Sequence, residues 1–386
     1  MRDTACQPGE TATVPLRVLE MGTQFGMGGI TRHIRALTDW LRIRGHSVTL
    51  AGTEDVWGSR KIDRTFLPLP TRYVASDGGS VPVRLVNAAR AAWTLRRWLA
   101  SHPVDVIHCH ESAPALVALI ARIGTGIPVA VTFHGSEPER VGEFGRIARH
   151  CDLVITPSHR AAADLVSVGK VPEAKVKVIG LGVAPAPDDQ AEEIDALRTE
   201  LLDGGDRLIV TVARLLHQKG IDVLIDCVAA LKESHPGYRF VVVGDGPDRD
   251  KYEALAKQKG LTDRLKFMGR SERPHLYLRA ADLFLLTSRW EALPFTIVEA
   301  FQCATPAVAT ACSGVVELID GTVGATVPIG DVPAICAAVS GILDDEPRRR
   351  SMAAAALARS REDRFRPDWV HARFEETYRA LAAPRA

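Results

Sequence analysis

Short apolar runs rich in β-branched residues alternate with helix-length patterns along almost the whole chain, and this rhythm restricts the fold more than any other feature. Strands are expected at residues 16–21, 47–51, 104–109, 127–133, 153–156 and 176–179. A helix over 31–44 should stop at Gly45, a residue suited to a left-handed C-terminal cap. Helical crossovers between strands imply parallel pairing, because parallel neighbours cannot be joined by a tight hairpin. The pattern breaks once, at the Pro-rich, acidic stretch 184–193. It resumes with strands expected at 208–213, 240–243, 264–268, 283–286, 307–309 and 325–327, and closes with helical segments over 348–361 and 367–382. The economical reading is an α/β protein with one parallel-sheet domain over 1–183, a second over 184–365, and a terminal helix over 366–386.

Composition narrows the function classes. Of 386 residues, 46% are hydrophobic, 25% charged and 6% aromatic, which excludes a disordered, coiled-coil or collagen-like chain. Lys+Arg total 48 against 47 Asp+Glu, so a dedicated nucleic-acid binder, with its basic excess, is not expected. The balance hides an asymmetry: 22 basic against 16 acidic residues through Val183, then 26 against 31. The seven cysteines (Cys6, Cys109, Cys151, Cys227, Cys303, Cys312, Cys336) are scattered without a Cys-x-x-Cys, so no disulfide framework or zinc knuckle is indicated. The first fifteen residues lack an apolar signal core, and runs such as 116–121 fall short of the ~20 residues that span a bilayer. A cytoplasmic protein is expected. Peripheral contact with the inner membrane face is the less favoured reading, and it rests on the helix expected over 82–101. There Leu85, Ala88, Ala92, Leu95 and Leu99 should form a buried stripe, with Arg90, Arg97, Val86 and Trp93 elsewhere on the surface.

Several strand ends carry residues suited to chemistry. The glycine-rich turn 22–29, including Gly28 and Gly29, would let backbone N–H groups approach an anion at a helix start, although it lacks the dinucleotide Gly-x-Gly-x-x-Gly spacing. His108 and His110 share one face of a strand, but no cluster of further ligands is evident, so no metal is expected there. His134 and Gly135 follow another strand, where open α/β sheets bind ligands. Arg214 and Lys219-Gly220 lie in a strand-to-helix turn and together could clamp a pyrophosphate, with a fork from Arg and a point charge from Lys. Gly244-Asp245-Gly246-Pro247 is weaker. Asp248-Arg249-Asp250 has the letters of a metal-holding Asp-x-Asp but reads better as the acidic first turn of a helix. The most specific segment runs from Ser288 to Ala300, where Glu291 precedes a helix starting near Pro294 and Glu299 lies within it. Carboxylates there suit sugar or ribose hydroxyls, while N–H groups near Phe295 and Thr296 suit an anion.

Taken together, these segments resemble the retaining family 4 glycosyltransferases, whose signature is E-x7-E and whose GT-B fold sets two Rossmann-like domains facing across a cleft. The resemblance implies that Arg214 and Lys219 bind donor pyrophosphate, Glu299 the ribose and Glu291 the donor sugar. It also implies that His134 reaches that sugar from the opposite domain and that Gly28-Gly29 completes the phosphate cradle. Gly269-Arg270 would border the base. His108, His110 and Ser158 are acceptor-side candidates, and the terminal helix would cross back onto the first domain. Gly180-Leu-Gly-Val-Ala184 departs from the family's Pro-Asn-Gly-Val-Asp hinge, and Ala213 and Ala292 stand where relatives usually have Gly. The implied activity moves a sugar from a UDP- or GDP-sugar to a small-molecule, glycan or lipid-linked acceptor. Configuration would be retained, with no metal and no cofactor. The alternatives are an epimerase or hydrolase of the same fold and a silent nucleotide-sugar-binding module.

Overall fold

A computed structural model describes residues 14–26, 28–54, 65–75 and 79–383; Cys6 and most of the first fifteen residues lie outside them. The first sheet contains β1 (Arg17–Phe25), β2 (Ser47–Glu54), β3 (Leu67–Pro68), β4 (Val106–His110), β5 (Val129–Thr132), β6 (Leu153–Thr156) and β7 (Val176–Val178), in the order β3-β2-β1-β4-β5-β6-β7. The second contains β8 (Arg207–Val212), β9 (Tyr238–Val243), β10 (Leu265–Gly269), β11 (Leu283–Leu286), β12 (Ala307–Thr310) and β13 (Gly324–Val327), in the order β10-β9-β8-β11-β12-β13. The pairings β1–β2, β1–β4, β8–β9 and β8–β11 are all parallel. In each sheet the chain winds outward on one side and then returns to the other side of its first strand. This leaves a topological switch point between β1 and β4, and another between β8 and β11. Open sheets of this type take ligands at the carboxyl ends of the strands flanking the switch.

Every expected strand is present, but three local details differ. β1 runs on through Gly22 to Phe25 with a register shift after Met21, so the glycine-rich turn is shorter than residues 22–29. The short β3 escapes sequence reading because two residues, one of them proline, carry no alternation. Within the expected linker, only 184–190 is irregular; Ala191–Leu202 is helical, and Arg198 bonds Asp282 at 2.8 Å. By compactness the chain divides into one unit of residues 1–27, 31–130 and 375–386 and another of 28–30 and 131–374. In the second unit, apolar residues of β8, β9 and β11 pack on both faces of the sheet. Leu285 and Phe240 face one side, Phe284 and Val241 the other.

The helix Val81–Leu99 buries Ala88, Ala91, Ala92 and Leu95. Leu85 is exposed and so does not join the buried stripe, while Val86, Trp93, Arg90 and Arg97 are exposed as the pattern implied. The Arg97 guanidinium lies 4.7 Å from the Trp93 ring centre. Within residues 79–104 the helix and its flanks carry no acidic side chain. No helix of the described residues is long and apolar enough to cross a membrane.

The first unit encloses a polar network that joins β1, β4 and the last turns of the helix Pro367–Ala382. Glu20 Oε2 lies 2.9 Å from His108 Nδ1 and 3.0 Å from His110 Nε2, and the Tyr378 hydroxyl donates to Glu20 Oε1 at 2.7 Å. All four side chains are buried. The partner that sequence reading did not find for the two histidines is therefore Glu20, and the three ligand atoms cluster within 4.8 Å. Nearby, Glu375 accepts from Arg44 at 2.8 Å and Arg379 donates to the Val14 carbonyl at 2.9 Å, fastening the helix end.

Burial disfavours charge at Glu20, yet the histidines outweigh it and hold its carboxyl well below the usual range. Burial, with His108 adjacent, pushes His110 down to about 3. The unfolded chain therefore binds a proton at His110 that the folded chain rejects. This contribution is complete above the ordinary value near 6.5 and is lost as pH falls toward 3, with Glu20 acting in the same sense below its ordinary 4.5. Urea midpoints should fall between pH 7 and pH 4, and His110→Gln should make that dependence shallower. It should not abolish it, because burial also depresses His371, to about 4. A wild-type midpoint independent of pH over this range would contradict the account.

Candidate active site

The switch point between β8 and β11 places two predicted segments side by side: the turn 213–220 after β8 and the loop 287–294 after β11. The turn carries Arg214 and Lys219 and ends at Gly220, whose φ is +61°. A Cβ there would meet the Thr287 carbonyl oxygen at 2.1 Å, and the Thr287 hydroxyl donates to the Gly220 carbonyl at 2.9 Å. The Arg289 N–H donates to the Gln218 carbonyl at 2.7 Å, and the Gln218 side chain donates to the Trp290 carbonyl at 3.0 Å. The Arg289 guanidinium also grips both oxygens of Asp222, at 3.0 and 2.6 Å, and the His217 carbonyl at 2.7 Å. Six hydrogen bonds thus tie the loop to the turn and to the first turn of the helix Ile221–Leu231 that follows it.

That fixing brings Lys219 against Glu291. The ammonium is hydrogen-bonded to Glu291 Oε1, which also accepts from the Ser288 hydroxyl at 2.8 Å. The side chains of Lys219 and Glu291 are 17% and 9% exposed, so the pair is largely desolvated yet not sealed. Arg214, five residues before Lys219, is exposed and makes no ion pair among the described residues. An exposed guanidinium and a largely buried ammonium carried by one strand-end turn are residue types suited to an anion.

Further loops close on the Glu291 segment. Gly314 is required because a Cβ there would overlap the Ala292 carbonyl, and its N–H donates to the Glu291 carbonyl at 3.3 Å. Gly135, with φ +93°, would bring a Cβ to 2.7 Å from the Ala292 nitrogen, so the half-buried His134 is the immediate neighbour of a residue packed on Glu291's own loop. The helix Phe295–Gln302 starts after Pro294, which caps it without a side-chain bond, and carries half-exposed Glu299 one turn further on. A Cβ on Gly29 would lie 2.9 Å from the Phe295 ring, placing the Gly28-Gly29 turn beside that helix start. Gly246 packs on the Leu215 carbonyl, and Gly269 lies against Arg249 with Arg270 exposed beyond it. Asp248 and Asp250 occupy the start of the helix Arg249–Gln258, as their spacing implied.

The acceptor-side candidates are placed differently. His108 and His110 are buried in the Glu20 network, and Ser158 is buried as the N-cap of the helix His159–Ser167, accepting from the Ala161 N–H at 3.1 Å. Their hydrogen bonds are internal because a strand end buried between neighbours turns its polar groups inward. Sequence reading also passed over Thr287, Gly314 and the Arg289–Asp222 pair. Only Arg289 lay in a segment already singled out, and nothing in the linear spacing joins it to Asp222.

Replacing Gly220 by Ala puts a Cβ on a left-handed residue against a carbonyl oxygen. A loss of about 1–3 kcal/mol in urea-unfolding free energy is expected. An unchanged midpoint would show that the turn is not held as described.

Comparison with known proteins identifies the family and the fold. Residues 27–186 match the family described as Glycosyltransferase Family 4, and residues 193–359 match Glycosyl transferases group 1. The chain is 30% identical, over 67% of its length and 74% of the relative's, to the lipopolysaccharide core biosynthesis mannosyltransferase LpsB of Rhizobium meliloti. It is 28% identical to the phosphatidyl-myo-inositol mannosyltransferase of Mycobacterium leprae, over 87% of this chain and 89% of that one. Among solved structures, Anabaena Alr3699/HepE in complex with UDP superposes with a TM-score of 0.76 at 21% identity, covering 95% of this chain and all of that one. Sucrose-phosphate synthase from Thermosynechococcus elongatus does so at 0.80 and 20% identity, covering 95% of this chain and 99% of that one. With its two parallel α/β sheets, the chain has the GT-B fold and belongs to the family 4 glycosyltransferases.

Proposed function

We propose that this glycosyltransferase moves a hexosyl group from a nucleotide diphosphate sugar to an acceptor hydroxyl, retaining the anomeric configuration and using no metal. The observation that carries this reading is the largely buried Lys219–Glu291 pair at the switch point of the second sheet, with exposed Arg214 in the same turn as Lys219. The UDP complex of a structural neighbour supports a nucleotide-linked donor, and the mannosyltransferase relatives support a hexose.

In this reading Arg214 and Lys219 take the donor pyrophosphate. As the glycosidic bond to phosphate lengthens, negative charge grows on the leaving oxygen, and two fixed cations meet it without reorganising. They supply the charge that a divalent ion would otherwise contribute. Glu291, anchored by Ser288 and Lys219, accepts from donor-sugar hydroxyls, and Glu299 from the ribose. The N–H groups at the helix start near Pro294, Phe295 and Thr296 add a positive end to the seat. His134 contacts the sugar, Gly28-Gly29 lines the phosphates, and Gly269-Arg270 borders a uracil or guanine base. The acceptor attacks from the face the diphosphate leaves, and a phosphate oxygen takes its proton, which gives retention. Lys219→Ala and Arg214→Ala should each lose at least ~2 kcal/mol of transition-state stabilisation, about thirty-fold in kcat/KM, measured in EDTA with acceptor present. Wild-type turnover in either variant would remove that residue from the clamp. Activity recovered only with Mn²⁺ or Mg²⁺ would overturn metal independence.

We further propose that the acceptor is lipid-linked and that the protein meets the inner membrane face peripherally. The two mannosyltransferase relatives are named for lipopolysaccharide core and phosphatidyl-myo-inositol. The Val81–Leu99 helix presents exposed Val86 and Trp93 among arginines, and residues 79–104 contain no acid. Anionic vesicles at low salt should carry the protein upward in flotation and release it as salt rises. Failure to float at low salt, with a soluble acceptor still glycosylated, would rule this out.

A further inference from the structure

The cysteines, scattered in sequence, include one pair that the fold brings together. Cys227 lies in the helix Ile221–Leu231 and Cys336, 109 residues later, in the helix Val332–Leu343. Their sulfurs are hydrogen-bonded at 3.2 Å, and Cys336 also lies 3.7 Å from the Cys227 carbonyl. Cys227 is buried within the second unit's core, whereas Cys336 is only half-buried. One thiol is thus open to a small reagent, and the other waits behind it at near-bonding distance.

We propose that Cys227 and Cys336 are a redox-modification site, closing to a reversible disulfide when the chain meets a small-molecule disulfide RSSR. The Cys336 thiolate attacks one sulfur of RSSR, forming Cys336–S–S–R and releasing RS⁻. Cys227 then gives up its proton and attacks Cys336 Sγ. The S–S bond to R breaks, a second RS⁻ leaves, and Cys227–Cys336 remains. Two protein thiols are oxidised and RSSR is reduced to two RSH. The sulfurs must approach from 3.2 Å to about 2.05 Å, a shift of roughly one ångström between side chains already in contact. The contact also favours this order of attack. It lowers the Cys336 thiol from its ordinary value, while the same hydrogen bond, then burial, raises Cys227. The helix carrying Cys227 begins directly after the Lys219-Gly220 turn, so the bridge would brace the helix that follows that turn. The proposal does not depend on which sugar or acceptor the enzyme uses.

Oxidised glutathione applied to the full-length folded protein tests it, followed by tryptic mapping without reduction. The expected product joins peptide 220–232 to peptide 290–348, with fragment ions assigning the bond to Cys336 rather than Cys303 or Cys312, and dithiothreitol reverses it. Oxidation should raise the thermal midpoint of the wild type and leave that of Cys336→Ser unchanged. Cys227→Ser should stop at one glutathione on Cys336, which shows the order of attack even if the core substitution lowers stability. A Cys227 that stays a free thiol while other cysteines are modified would overturn the proposal. So would a cross-link that persists in Cys336→Ser.

Discussion

The site depends on one constraint, the left-handed turn at Gly220 fastened to Thr287. β8 and β11 are neighbours, so the segments leaving their ends diverge from a common point. Without a tie, each would carry its charged residues on an independent loop. The Thr287 hydroxyl, the Arg289 fork and the Gln218 amide convert the two segments into one body. A cation from one then meets a carboxylate from the other with little freedom left to lose. Desolvation makes such a pair costly unless each partner has further bonds, and Ser288 on Glu291 supplies one. Preorganisation of this kind is what a diphosphate leaving group requires, because the charge develops faster than loops rearrange.

The two units use buried polarity in different ways. In the first, Glu20 binds His108, His110 and Tyr378 out of contact with water, which ties the end of the helix Pro367–Ala382 to β1 and β4. The network is fully buried and makes its unit sensitive to acid. In the second, the Lys219–Glu291 pair keeps partial exposure, and Arg214 of the same turn is exposed with no ion pair among the described residues. A fully buried network rigidifies its fold, whereas a partly exposed pair can be reached by a ligand.

How much of this was legible beforehand follows from the range of each interaction. The strands announced themselves because both sheets are parallel and their strands are buried, so each reads as an apolar run between helical patterns. Arg214, Lys219, Glu291 and Glu299, the residues of the proposed site, stand at strand-to-helix junctions, which are local in sequence. Leu85 was misassigned because a helical stripe shows which residues share a face but not where the covering neighbour stops. The short β3, the partner of the two histidines and the Cys227–Cys336 contact could not be read. β3 is a two-residue bridge, and the others join residues 88 or more positions apart through folds of the backbone that spacing does not encode. The burial of His108, His110 and Ser158 follows from the same limit: histidine and serine at a strand end look alike whether they face a ligand or the interior.

The central claim is that the strand ends around the β8–β11 switch form a nucleoside-diphosphate seat. Calorimetric titration of the purified protein with UDP and with GDP, repeated at rising salt, tests it most directly. The account predicts saturable one-to-one binding of at least one of them, weakened by salt because Arg214 and Lys219 carry the contact. The absence of binding by either nucleotide to folded protein at millimolar concentration and low salt would contradict it.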